Sequence, residues 1–233
     1  MERKDGEPIS CVTKRQAELL QGAANIIPVT TRSVEQYRRI DFAGIGFSPR
    51  YALCDNGGTL IANGELDAEW SRWSSEIFKS CEEELERFRE LLDNDPKRSF
   101  EVRLVDGLFL FTKSSEPSET LEYLGKSERC ECFATGEKVY VIPKELSKGA
   151  AVRRLAKRLG LREFAAAGDS LMDVPMLSEA NVALFPEDIA GALPKVARPK
   201  GLPKDARPKC PKVRHTHKRD GFPEFVAEFA DRL

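Results

Sequence analysis

Ala165-Ala-Ala-Gly168-Asp169-Ser170-Leu-Met-Asp173-Val-Pro-Met-Leu177 runs from small residues into a glycine and then sets two carboxylates four residues apart. The alanines read as a short buried strand, Gly168 frees the backbone to turn sharply, and Met172 to Leu177 reads as a helix. Asp169 and Asp173 then share its first turn. Hard oxygen ligands at the carboxyl end of a buried strand, beside a helix N-terminus that favours negative charge, suit Mg²⁺ and a phosphate together. A plainer reading uses the same residues: Asp169 or Ser170 simply caps the helix. Company elsewhere in the chain decides for the functional one.

Asn25-Ile-Ile-Pro-Val-Thr30-Thr31-Arg32-Ser33 reads as a short buried strand that ends in hydroxyl side chains and leads into a helix. Thr30, with Thr31 beside it, sits where a hydroxyl and nearby amides hold a phosphoryl oxygen, although alone it would be an N-cap. Further on, Ile142-Pro-Lys-Glu-Leu-Ser147-Lys148-Gly149 opens an amphipathic helix that stops at Gly160. Lys148 therefore falls in a first turn, where the macrodipole disfavours a cation, and that placement suggests a task.

These segments together resemble the haloacid dehalogenase (HAD) superfamily, and within it the sugar-phosphate phosphatase branch, similar to sucrose-phosphate phosphatase, with a large inserted cap. Thr30 matches the family's second motif, Lys148 in Leu-Ser-Lys-Gly-Ala the third, and Gly168-Asp169-Ser170-Leu-Met-Asp173 the fourth. Tyr51-Ala-Leu-Cys-Asp-Asn56-Gly57-Gly58 looks like the strand and Asn-Gly turn that leads into the cap. The resemblance implies an α/β fold, a HAD-like Rossmannoid parallel sheet with an inserted α+β cap. It divides the chain into a first core part at 1–64, a cap at 65–146 and a second core part at 147–233.

The family's first motif, Asp-x-Asp-Gly-Thr, carries the nucleophile and the general acid and base. The sequence does not contain it. Ile9 to Thr13 resembles the segment that follows the motif in relatives, which would put the missing residues just upstream of Met1. Leu53-Cys54-Asp55-Asn56-Gly57-Gly58-Thr59-Leu60 imitates the motif, with Asp55 as nucleophile and Thr112 as a substitute for Thr30. Gly57 then replaces the second Asp, the leaving group has no acid, and Thr30 has no role, so Asp55 is set aside.

In the family's sheet the first strand is central, between the strand ending at Thr30 and the strand ending at Gly168, so its omission takes ladder partners from both. Buried backbone groups without partners cost about 1–3 kcal/mol each, against a domain stability of about 5–15 kcal/mol. The expectation is a chain that starts too late; the alternative is an authentic protein without the strand, a catalytically inactive phosphate-binding or partner-binding module.

For a complete chain the resemblance implies an Mg²⁺-dependent phosphatase acting on a small phosphorylated metabolite such as a sugar phosphate. Thr30, Lys148 and Asp173 are the catalytic candidates, Thr30, Thr31 and Lys148 the phosphate contacts, and Asp169 and Asp173 the metal ligands. Asp173 would alternatively orient Lys148.

Composition agrees with a globular α/β protein: 233 residues, 41% hydrophobic and 32% charged. With 37 basic and 38 acidic residues, the net charge of −1 supplies no global field for nucleic acid or membrane. No signal-like N-terminus and no apolar run near 18 residues is found, so the chain reads as cytoplasmic. Cys11, Cys54, Cys81 and Cys210 are scattered and read as free thiols. Neither Cys130-Glu-Cys132 nor Cys210 with His215-Thr-His217 has the spacing of a zinc site.

The patterning predicts helices over Thr13–Gln21, Val34–Arg39, Ala68–Leu92 and Pro223–Leu233, strands at Ile26 and Tyr51, and hairpins over Phe100–Thr112 and Glu131–Ile142. Trp70, Trp73, Ile77, Leu85, Phe88 and Leu92 fall mostly on one stripe and read as cap core. From Lys195 to Arg219, ten Lys or Arg face one Asp, with prolines at 199, 203, 208 and 211. This stretch is expected to be irregular, either a solvated loop or an electrostatic funnel for an anion.

Overall fold

The structure, a computed structural model, describes residues 2–4, 7–22, 25–193, 213–220 and 222–230. In chain order the strands are β1 (Glu2–Lys4), β2 (Glu7–Ser10), β3 (Tyr51–Cys54), β4 (Thr59–Ala62), β5 (Glu65–Leu66), β6 (Arg103–Val105), β7 (Phe109–Lys113), β8 (Cys130–Thr135), β9 (Lys138–Pro143), β10 (Ala165–Ala167), β11 (Val182–Pro186) and β12 (Val213–His217). The helices are α1 (Lys14–Gly22), α2 (Val34–Arg38), α3 (Ala68–Asp93), α4 (Pro117–Leu124), α5 (Lys148–Arg158), α6 (Val174–Glu179) and α7 (Phe222–Ala230). They gather into two compact units, one of Met1–Pro28, Arg38–Arg50 and Lys148–Leu233, the other of Val29–Tyr37 and Tyr51–Ser147.

The first unit holds the parallel sheet β10-β11-β12, in which Ala165, Ala166 and Ala167 pair with Val182, Ala183 and Leu184. Its strands are short and apolar because a parallel sheet is covered on both faces; Ala183, Leu184 and Phe185 are buried. α5 and α6 pack closely because Gly149 has no side chain: a Cβ there would stand 2.5 Å from the carbonyl oxygen of Pro175. α5 ends as its glycine predicts, with Gly160 left-handed at φ 68° and Leu161 N–H returning to Ala156 O at 2.9 Å. α1 begins at a reciprocal cap, Thr13 and Gln16 each accepting the other's main-chain N–H.

The basic stretch departs from expectation where it is described. Val213–His217 is regular strand, pairing in parallel with Val182–Pro186, and the rings of His215 and His217 lie against Phe229 and Phe225 of α7 at 5.5 and 5.3 Å. The ladder from β11 and the aromatic contacts outweigh the local charge. Residues 194–212, with all four prolines, lie outside the described residues.

The second unit holds the cap. β6-β7-β9-β8 form an antiparallel sheet, with left-handed Asp106 and Gly107 closing one hairpin and Gly136 the other. α3 is capped by Asp67, whose carboxylate accepts from Trp70 N–H at 2.9 Å. Of the predicted stripe, Trp70, Ile77, Leu85, Phe88 and Leu92 are buried, the last three meeting Leu110, Leu124, Val139 and Val141. Cys81 and Cys130 belong to this core as free thiols, and Cys132 packs against it.

The strand expected at Ile26 is a single bridge, Val29 with Leu53, parallel. Thr30 N–H donates to Leu53 O at 2.8 Å, and Asn56 N–H donates to Thr30 O at 3.0 Å. One strand neighbour is too little to hold a ladder, and among the described residues β10 likewise pairs on one edge only.

Phe88 is fully buried at the centre of the cap core. Phe88→Ala should cost about 3–5 kcal/mol, and Phe78→Ala at the margin of that cluster clearly less; urea unfolding followed by tryptophan fluorescence measures both.

Candidate active site

Lys148 opens α5, and its ammonium Nζ lies 2.5 Å from Asp173 Oδ1. Both residues are buried, 7% and 5% exposed. The other Asp173 oxygen, Oδ2, accepts from Asp169 N–H at 3.1 Å, Ser170 N–H at 3.0 Å and Ser170 Oγ–H at 2.9 Å. Gly168 makes this possible, since a Cβ there would sit 2.3 Å from the Asp173 Cβ. The plainer reading of the motif is thus partly true: Ser170 and Asp173 do cap the turn Leu171–Asp173. Asp173 does so with the carboxylate that also grips Lys148.

The Asp169 side chain stands apart from this network, 66% exposed. Two groups that the sequence did not single out hold it. Arg219 Nη1 lies 3.6 Å from Asp169 Oδ2, and Arg219 Nη2 donates to the Asp169 main-chain oxygen at 2.8 Å. Asp188 fixes that guanidinium, its Oδ2 accepting from Nη2 at 2.7 Å and from Nε at 3.0 Å. Lys148, Asp169 and Asp173 are therefore assembled within one compact unit.

Thr30 and Thr31 belong to the other unit. Thr30 Oγ1 accepts from Arg32 N–H at 3.1 Å, a tight turn that leaves its hydroxyl proton for another acceptor. Around it, Asp55 N–H donates to Arg32 O at 2.9 Å, and Asp106 Oδ2 accepts from Val34 N–H at 3.1 Å.

Asp55, the look-alike nucleophile, is fully buried and left-handed, at φ 53°. Among the described residues no donor is in hydrogen-bonding geometry with either carboxylate oxygen. Burial pushes its carboxyl up from the usual 3.8 to about 7, Thr59 pulling it down and the Asp106 carboxylate raising it further. Burial thus keeps Asp55 protonated through the acid range, in contrast to an ordinary exposed carboxylate. Thr112, its supposed partner, is spent on Phe100 O at 2.6 Å.

Mg²⁺ is commonly held by one or two carboxylates, several waters and a substrate phosphate. Asp169, an accessible carboxylate at a strand end, suits that role. Asp173, expected as a second ligand, has Oδ1 engaged by Lys148 and Oδ2 by Asp169 N–H, Ser170 N–H and Ser170 Oγ–H. Among the described residues no three His, Cys, Asp or Glu side chains are grouped to hold a metal ion, and no helix is long and apolar enough to cross a membrane.

A profile of haloacid dehalogenase-like hydrolases matches residues 33–185, and the chain belongs to that family. A curated phosphoglycolate phosphatase of Methanothrix thermoacetophila is 26% identical over 157 residues, covering 66% of this chain. The chain spans 65% of that relative's length. The fold is shared with the sucrose-phosphatase of Synechocystis, solved with sucrose and phosphate, at TM-score 0.64 and 17% identity over 94% of this chain and 93% of that one. A Thermoplasma acidophilum protein aligns at TM-score 0.60 and 11% identity over 96% and 92%. A HAD subclass IIB sugar phosphatase aligns at 0.55 and 14% over 94% and 92%. The expected α/β architecture, a HAD-like core with a parallel sheet and a cap, is the one these folds share.

Breaking one side of a buried ion pair strands the other charge, at about 3–5 kcal/mol. Asp173→Asn should therefore destabilise the protein by that order, whereas Asp169→Asn, at an exposed carboxylate, should change stability by less than about 0.5 kcal/mol; chemical denaturation separates the two. For Asp55, the folded carboxyl keeps a proton that the unfolded chain has released between about pH 4 and 7. Stability attributable to it therefore falls as pH rises through that window, by on the order of a few kcal/mol. Asp55→Asn should flatten the decline in melting temperature between about pH 4 and 7, and a slope identical to the wild type would refute the assignment.

Proposed function

We propose that the protein is a phosphatase of the HAD type whose substrate is a small phosphorylated metabolite, a sugar phosphate, with Mg²⁺ as cofactor. The observation that carries this reading is the buried Lys148–Asp173 pair, with an ammonium fixed at the start of α5, and Asp173 in turn accepting from the main-chain N–H of Asp169, whose exposed carboxylate suits a hard cation. The sugar-phosphate choice rests on the sucrose-phosphatase and sugar-phosphatase likenesses in fold, and the phosphatase chemistry on those and on the phosphoglycolate phosphatase relative. Residues 65–146 are proposed as the lid that selects the leaving group, with the core at 1–64 and 147–233.

In this proposal Lys148 presents its charge to phosphoryl oxygens, desolvated and aligned by Asp173, so that its attraction is stronger than any surface lysine could supply. Thr30 donates its hydroxyl to the transferred group, with Thr31 beside it. Asp169 holds the cation, which when bound neutralises phosphoryl charge. The nucleophilic carboxylate belongs to the Asp-x-Asp-Gly-Thr motif, which this sequence does not contain.

That last fact favours a second reading, a phosphate-binding module that does not turn over. The two readings part on one comparison: phosphate release from sugar phosphates and phosphoglycolate by the chain as it stands, and by a chain extended upstream of Met1 with an apolar strand ending in Asp-x-Asp-Gly-Thr. The chain as it stands should release none above background. The extended chain should release phosphate in an Mg²⁺-dependent way, with Lys148→Ala lowering the rate at least about 100-fold and Lys157→Ala, on the exposed face of α5, less than about threefold. Inactivity of the folded extended chain, with inorganic phosphate still bound by calorimetry in a Lys148-dependent way, would select the module.

A further inference from the structure

Arg219 lies two residues beyond β12, and its guanidinium is engaged by Asp188 and Asp169. Nε and Nη2 converge on one carboxylate oxygen of Asp188, which fixes the plane of the guanidinium. Nη2 also reaches the main-chain oxygen of Asp169, and Nη1 faces the Asp169 side chain at 3.6 Å. The accessible carboxylate of the motif, the one free to take a divalent cation, thus already faces a positive charge. That charge does not depend on the Asp169 side chain for its place, because Asp188 and the Asp169 carbonyl hold it.

We infer that Arg219 is the resident counter-ion of Asp169, anchored by Asp188, and that a divalent cation gains the Asp169 carboxylate only by taking it away from this guanidinium. The inference rests on the proposal that Asp169 is a metal ligand, and adds a residue that sets how tightly the metal is held. The moving part is the carboxylate. Rotation of the Asp169 side chain separates it from Nη1 and leaves the main-chain hydrogen bond and both Asp188 bonds intact. Arg219 is then a positioning residue that weakens metal binding twice: its attraction for the carboxylate must be overcome, and its charge afterwards repels the bound cation. Two unit charges about 4 Å apart in water interact by an amount worth about five-fold in affinity, and the exposed setting keeps the effect at or below that.

The test is Mn²⁺ binding to the full chain without substrate, read from the paramagnetic resonance signal of free Mn²⁺, so that no turnover is needed. Arg219→Gln should bind Mn²⁺ about three- to five-fold more tightly than wild type. Lys218→Gln removes the neighbouring exposed charge without touching Asp169, and should stay within about twofold. Arg219→Lys keeps the charge but not the planar fork that Asp188 holds, and should fall between wild type and Arg219→Gln. Asp169→Asn should lose the site. Unchanged or weaker binding in Arg219→Gln, with binding still abolished in Asp169→Asn, overturns the counter-ion role while leaving the metal reading in place. Binding that survives in Asp169→Asn, or that appears in neither wild type nor Arg219→Gln, overturns the metal reading and the counter-ion role with it. Circular dichroism checks that each variant folds; if Arg219→Gln does not, Arg219→Lys decides alone, and wild-type affinity in it overturns the proposal.

Discussion

The pair between Lys148 and Asp173 is the constraint around which the first unit is arranged. A buried ion pair returns its desolvation cost only when the geometry is good and every remaining lone pair and proton is satisfied. The neighbouring sequence meets that demand residue by residue. Gly168 yields the space that the Asp173 side chain fills, and the main chain at Asp169 and Ser170 turns its amides onto the oxygen that Lys148 does not use. Gly149, directly after the lysine, lets α5 approach the start of α6 closely enough for the two side chains to meet. Two glycines, one hydroxyl and two amides are thus committed to holding this one pair of side chains together away from water.

A second constraint acts in each unit: a segment near the site has few strand partners among the described residues. β10 is held by β11 alone among the described residues, and the segment at Val29 and Thr30 is tied to β3 by one bridge and the main-chain hydrogen bond from Thr30 N–H to Leu53 O. Short-range bonding compensates in part. The turn Asp55–Gly57 folds back so that Asp55 and Asn56 donate to Arg32 and Thr30, which replaces a ladder by a knot of backbone hydrogen bonds. The price is an uncommon backbone, with two successive non-glycine residues left-handed and a carboxyl driven toward neutrality.

Much of this was legible in the sequence wherever local chemistry and position agreed. Lys148 stood out because its charge opposes the helix end it occupies, and the aspartates of the fourth motif because glycine and spacing place them together. The α3 stripe was readable from its period alone. What was not readable came from pairings distant in sequence. Arg219 was one cation in a basic run and Asp188 an ordinary acid after a strand; 31 residues separate them, and nothing local marks either. β12 was hidden because composition and proline content describe a loop, while a neighbouring strand and an aromatic helix face determine what its last residues do. The strand at Ile26 failed for the converse reason: the residues favour it, but the ladder it needs has one side only.

The turn after β3 has a consequence for chemical ageing. Asn56-Gly57 is the dipeptide in which the following amide nitrogen most readily closes onto the asparagine side chain, releasing ammonia and leaving a succinimide that opens to aspartate or isoaspartate. Here Asn56 is 6% exposed, its Nδ2 donates to Leu146 O at 2.8 Å, and Gly57 O accepts from Trp70 Nε1 at 2.9 Å. Ring closure swings the Gly57 main-chain nitrogen onto the Asn56 side-chain carbon, and the bonds at Asn56 Nδ2 and Gly57 O oppose that movement. Deamidation at this dipeptide therefore proceeds through excursions that open the turn, and the isoaspartate that accumulates in stored protein is a clock for those openings.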